Sequence, residues 1–193
     1  MVEETHWHPV ALAEAVVGQP LAATLLDRPL VLWRDGMGVV HAWADQCPHR
    51  GSKLSMGKIT NGKLECGYHG WQFEPDGRCA LVPALPAFKP PTSHCARVYA
   101  AREAQGLVWV RLLPAGSASA SIDLPAFAAE ADPQLRKLNC GPYNVAASAP
   151  RIVENFLDMA HFGFVHEGLL GSRANTTIAD YGIARPAGPG AWP

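Results

Sequence analysis

Short apolar runs interrupted by turn residues fill the chain from Trp7 to about Leu113. Leu30-Val-Leu-Trp33, Val39-Val-His-Ala-Trp43, Lys63-Leu-Glu-Cys66 and Gly106-Leu-Val-Trp-Val-Arg-Leu-Leu113 each have the length and residue types of a strand. Asp35-Gly36, Asn61-Gly62 and Asp76-Gly77 fall between such runs, where a hairpin needs residues that tolerate positive φ. This pattern predicts a mainly β region. Val10-Ala-Leu-Ala-Glu-Ala-Val-Val17 predicts one or two helical turns, closed by Gly18 and Pro20.

The pattern changes at Pro114-Ala-Gly-Ser-Ala-Ser-Ala-Ser121, which is small, polar and without period, and reads as a linker. It divides the chain into a β domain over 6–114, a linker over 115–123 and a second domain over 124–193. In the second part, Pro125 to Asp132 predicts a short helix and Leu138 to Val145 a strand. Ser148 suits a helix N-terminus, and Pro150 sits where a missing N–H costs least, so a helix is expected from about 150 to 165. No internal repeat stands out.

Composition narrows the classes. A net charge of −1 with 17% charged residues leaves no basic patch, so nucleic acid is not an expected partner. No run of eighteen apolar residues and no leader-like N-terminus is present, and a cytoplasmic protein without a membrane span is expected. Of five cysteines, Cys79, Cys95 and Cys140 read as free thiols, with no disulfide framework.

The most informative chemistry is Cys47-Pro-His49, separated by sixteen residues from Cys66-Gly-Tyr-His69. Two thiolates and two imidazoles are the donor set of a mixed Cys/His iron–sulfur centre, with two Cys on one iron and two His on the other. Neutral imidazoles reduce the negative charge of such a centre, which raises its potential to roughly −150 to +300 mV, against about −400 mV for all-Cys plant-type clusters. A structural zinc site would more often pair cysteines as C-x-x-C or follow them with H-x3–5-H, and the alternation here disfavours it. The remaining reading is four unrelated core and surface side chains.

The flanks, Cys47-Pro-His-Arg-Gly51 and Cys66-Gly-Tyr-His-Gly-Trp71, resemble the Rieske [2Fe–2S] domain. Respiratory-type members of that family carry two further cysteines in these loops. Ser52 and Tyr68 stand there instead, which points to the oxygenase or ferredoxin branch.

A second constellation lies on the helix expected after the linker. At about 100° per residue, Asn155, Asp158, His161 and His166 share an arc of about 140°, too wide for both imidazoles to meet one metal on a straight helix. A kink at Gly163 is expected to bring them together. Asn155-Phe-Leu-Asp-Met-Ala-His-Phe-Gly-Phe-Val-His166 resembles the N-x-x-D-x-x-H-x-x-x-x-H segment of Rieske non-haem iron oxygenases, the alpha subunits of ring-hydroxylating dioxygenases and demethylating monooxygenases. The resemblance implies the start of an α+β, helix-grip-like catalytic domain after the Rieske domain. Cys47, His49, Cys66 and His69 would hold the [2Fe–2S] cluster, and His161 and His166 a mononuclear Fe(II). Asp158 would bridge to a cluster histidine of the neighbouring subunit in a homotrimer, and Asn155 would line the iron pocket.

The same resemblance implies a reductase or ferredoxin as electron donor, O2 as co-substrate, and hydroxylation or demethylation of a small organic, aromatic-type substrate. Its third iron ligand is a carboxylate far downstream. Glu167 and Asp180 are the carboxylates within reach, and neither fits that position, so the catalytic domain reads as truncated. The alternative is an electron-transfer or binding module that keeps only the cluster.

Overall fold

The computed structural model describes residues 2–114, 123–124, 127–138 and 140–182. The linker expected over 115–123 lies almost wholly outside the described residues, as does the tail from 183. The chain forms two compact units, Met1–Lys137 and Leu138–Pro193.

The first unit is built on ten strands: β1 (His8–Leu12), β2 (Leu21–Leu25), β3 (Arg28–Arg34), β4 (Val40–Ala44), β5 (Lys58–Thr60), β6 (Lys63–Glu65), β7 (Gln72–Phe73), β8 (Cys79–Leu81), β9 (Val98–Ala104) and β10 (Leu107–Pro114). Six pair in the order β1-β10-β9-β4-β3-β2, and four in the order β5-β6-β7-β8, all antiparallel. β3 explains why its sequence is a continuous apolar run rather than an alternating one. Leu30 and Leu32 pack with Ala42, Val108 and Val110 on one face of the large sheet. Val31 and Trp33 pack on the other with Trp43, Leu54, Leu64 and Phe73, which include residues of the small sheet. Both faces are buried over Leu30–Trp33, so each of those four positions is apolar, while Arg28 and Arg34 stand at the strand's ends. Each such side chain contributes about 1.5–3 kcal/mol by leaving water.

The three hairpin turns expected from sequence close β3–β4, β5–β6 and β7–β8. At β5–β6, Asn61 (φ 52°) and Gly62 (φ 72°) both occupy the left-handed region that a tight two-residue turn demands. Leu26 (φ 48°) and Asp27 (φ 60°) make the same kind of turn between β2 and β3. No sequence cue announces it, since leucine is a poor left-handed residue, but Leu26 packs on the core and the burial offsets the strain.

Several expectations are corrected. Val10–Leu12 is not helical: it belongs to β1, which pairs with β10, and only Ala13–Ala15 form a 3-10 turn. Edge pairing gives these backbone groups partners that a two-turn helix would leave open. The short helix expected at 125–132 is a 3-10 turn over Ala128–Ala131. Residues 138 and 140–145 form no strand, with Asn139 outside the described residues.

In the second unit the expected helix is two. α1 spans Ala149–Leu157 and α2 spans Phe162–Val165. The break comes at Asp158, whose backbone is extended (φ −78°, ψ 116°), five residues before the glycine where a kink was expected. The Asp158 side chain stabilises it, accepting the Ala160 N–H at 2.7 Å through Oδ1. A short carboxylate offers the backbone this alternative to helix.

Candidate functional site

Two loops of the first unit carry the Cys/His pairs, and they are built alike. Cys47 leaves β4 for the first loop, and Cys66 follows β6 into the second. In each, the glycine four residues on donates its N–H to the cysteine carbonyl: Gly51 to Cys47 at 2.8 Å, and Gly70 to Cys66 at 3.0 Å. The cysteine N–H in turn donates to the carbonyl five residues on, Ser52 at 2.8 Å and Trp71 at 2.9 Å. Both glycines sit at positive φ, 74° and 69°, which closes so tight a loop without strain.

Glycines also let the loops meet. A Cβ on Gly57 would lie 2.0 Å from the Glu65 carbonyl oxygen, and one on Gly67 would lie 2.6 Å from that of Met56. Asp45, 7% exposed, braces the first loop from below: its carboxylate accepts the Ser55 N–H at 2.7 Å and the Ser55 hydroxyl at 2.6 Å. Sequence reasoning passed over this pair, because an Asp two residues before a candidate ligand cysteine carries no distinctive spacing.

The loops place the two thiols inside and the two imidazoles outside. Cys47 and Cys66 are 3% and 2% exposed, within the core cluster of Trp43, Leu54 and Phe73. His49 and His69 are exposed, with ring centroids 4.6 Å apart. Trp71 stacks on His49 at 4.5 Å with planes 4° apart, and Tyr68 lies against His69 at 3.8 Å. Burial pushes the Cys47 thiol up to about 11, and the neighbouring Cys66 thiol adds to it, while the His49 N–H aimed at its sulfur pulls the other way. Desolvation lowers the His49 pKa, and the charges of His69, Arg50 and His94 push in the same direction.

This donor set fits a two-iron cluster. A buried pair of thiols is a poor place for bare thiolates, and Cys47 and Cys66 would hold a cluster whose ferric ions would supply the missing positive charge. Among the described residues, no three His, Cys, Asp or Glu side chains converge as for a single ion. A mixed cluster needs only two protein ligands per iron.

The second unit brings three of its four candidates together. The His161 and His166 rings lie 5.2 Å apart at 63°, so the broken helix turns them toward each other. Asp158 Oδ2 is 3.2 Å from His161 Nδ1. The Ala160 N–H holds the Asp158 carboxyl below its usual range; desolvation opposes this, and His161 adds to the lowering. Asn155 stands exposed on α1, and among the described residues its side chain makes no hydrogen bond. Glu167 is bound to Arg173 at 2.8 Å, and Asp180 lines a cavity beside α2 with Met159, Phe162, Leu170 and Tyr181. Neither carboxylate joins the two histidines in a ligand group.

Comparison with known proteins gives two family matches: the Rieske [2Fe–2S] domain over residues 6–99, and the vanillate O-demethylase oxygenase C-terminal domain over residues 145–190. Methylxanthine N1-demethylase NdmA of Pseudomonas putida is 39% identical over 170 residues, 85% of this chain and 47% of that protein. The oxygenase component of dicamba O-demethylase from Stenotrophomonas maltophilia is 35% identical over 161 residues, 83% of this chain and 46% of its own. A solved structure of NdmA superposes with a TM-score of 0.82 at 36% identity, covering 90% of this chain and 53% of that one. The chain spans about half the length of the curated relatives it matches. No helix among the described residues is long and apolar enough to cross a membrane. The chain thus pairs a β-rich Rieske [2Fe–2S] domain with a match to an oxygenase C-terminal domain, and it is similar, over about half of their length, to demethylases and their oxygenase components.

Proposed function

We propose that this chain is the electron-accepting part of an oxygenase component that demethylates or hydroxylates a small organic, aromatic-type substrate. The observation that carries the reading is the pairing, in one chain, of a two-thiol, two-imidazole cradle with a second His pair on a broken helix. Cys47 and Cys66 would hold the inner iron of the cluster, and His49 and His69 the outer one. Their depth follows from this division: the thiolates sit in the core, while the imidazoles face the surface where a donor protein docks. When bound, the two metal groups store an electron from a reductase or ferredoxin and activate O2.

His161 and His166 would supply two ligands of the mononuclear iron, with Asn155 lining its pocket. Asp158 would orient His161 and, in a homotrimer, accept the imidazole N–H of a cluster histidine from the neighbouring copy. It already accepts a backbone N–H through Oδ1, which fixes the carboxylate plane for such a role. The division at 114 and 123, with the Rieske domain before it and the catalytic domain after, and a cytoplasmic location belong to the same reading. Methylated aromatic acids and methylxanthines are the substrate classes suggested by the names of the matched family and relatives.

Iron content tests this directly. Filling both centres gives about three irons per chain, and the cluster alone gives about two. A value near three, with O2 uptake when a reductase, reductant and a methylated aromatic substrate are supplied, would sustain the oxygenase reading for this chain. A value of two without O2 uptake would reduce the chain to an electron-transfer module.

A further inference from the structure

His94 lies outside both sequence motifs, yet it completes an aromatic stack that ends on a cluster histidine. Trp71 lies between two imidazoles: His49 at 4.5 Å and His94 at 5.2 Å between centroids, each with planes only 4° apart. Trp71 is 8% exposed, and the Phe88 ring lies tilted against His94 at 5.9 Å.

The backbone holds this outer layer in place. Thr92–His94 form a 3-10 turn whose His94 N–H donates to the Pro91 carbonyl at 2.9 Å. Two residues on, the Ala96 N–H donates to the Gly77 carbonyl at 2.8 Å. A Cβ on Gly77 would lie 2.7 Å from the Ala96 oxygen, so the segment carrying His94 reaches the β7–β8 hairpin only because residue 77 is glycine.

Metal-bound imidazoles usually owe their orientation to a hydrogen bond from the second ring nitrogen to a carboxylate or carbonyl. Among the described residues, the His49 ring makes no such bond. Its plane is instead set by stacking on Trp71, and the Trp71 plane by the layer above it. We propose that His94 is a positioning residue for the cluster: acting through Trp71, it fixes the His49 imidazole plane. This rests on the assignment of His49 as a cluster ligand.

The test uses the full chain with its cluster assembled, comparing the parent with His94→Ala, His94→Phe and His49→Ala. His94 is half-buried, so its replacement spares the core. Two signals are read: the line width of the reduced cluster in electron paramagnetic resonance, and the rate of iron loss to a chelator. His94→Ala is expected to broaden the signal and to speed iron loss by roughly two- to tenfold, the factor equivalent to the ~0.5–1.5 kcal/mol of one aromatic pair. His94→Phe, which keeps a flat ring over Trp71, is expected to restore both. Parent-like behaviour of His94→Ala, or equal impairment of both His94 variants, would overturn the positioning role. His49→Ala separates the two levels: loss of its signal sustains the ligand assignment whatever His94 does, and an unchanged signal would remove that assignment and this proposal together.

Discussion

The cluster cradle and the second histidine pair differ in what holds them. Around the cradle, the core is complete: Trp33, Trp43, Leu54, Leu64 and Phe73 are fully buried, and the ligand loops are closed by paired backbone hydrogen bonds. Around His161 and His166, the only buried position among the described residues is Gly163, while Phe156, Leu157, Val165 and Leu169 are 70% or more exposed. The first site is shaped by burial that it shares with the fold. The second is shaped by the two hydrogen bonds of the Asp158 carboxylate and by two short helices, elements with little stability of their own in water. Its apolar surface is of the kind that other protein covers.

The largest effect should come from the core beneath the cradle. Trp43→Ala removes a ring that meets Trp33 and Phe73 edge-on, at 5.0 and 6.2 Å, and is expected to cost about 3–5 kcal/mol. Urea unfolding followed by circular dichroism measures this, and a loss under 1 kcal/mol would show that the cradle does not depend on its core. A smaller effect is expected from Gly57→Ala. Its Cβ, 2.0 Å from the Glu65 carbonyl oxygen, must displace one loop from the other at a cost of about 1–3 kcal/mol, with faster cluster loss on storage. Retention of parent stability and cluster lifetime would mean that the loops need no such close approach.

The smallest effect tests the other side of the comparison. Phe156→Ser, at a position 79% exposed, should change unfolding stability by less than about 0.5 kcal/mol in the isolated chain. A loss of 1 kcal/mol or more would show that Phe156 is covered in solution, and the contrast between the two units would then weaken.

Much of the candidate chemistry was legible in the sequence because ligand spacing is local. Two residues of a pair, held in one loop, keep their relation whatever the surrounding fold, so Cys47/His49 and Cys66/His69 could be read without coordinates. The Asn61-Gly62 hairpin was legible for the same reason. Val10–Leu12 was not, because an apolar run of that length suits a helix or a strand, and pairing with β10 decides the matter. The helix break was expected at Gly163 on propensity. It falls at Asp158 because a carboxylate that caps its own following backbone outweighs a glycine packed against the Ser172 carbonyl.

By itself, then, the sequence determined the candidate donor residues, their pairing into two loops, and the mainly β character of the first unit. Tertiary structure alone decided that the thiols would be buried and the imidazoles exposed, that Asp45 would brace Ser55, and that His94, twenty-three residues from Trp71, would stack on it. Those relations arise from packing between segments distant along the chain, where no local spacing records which side chains will share a face.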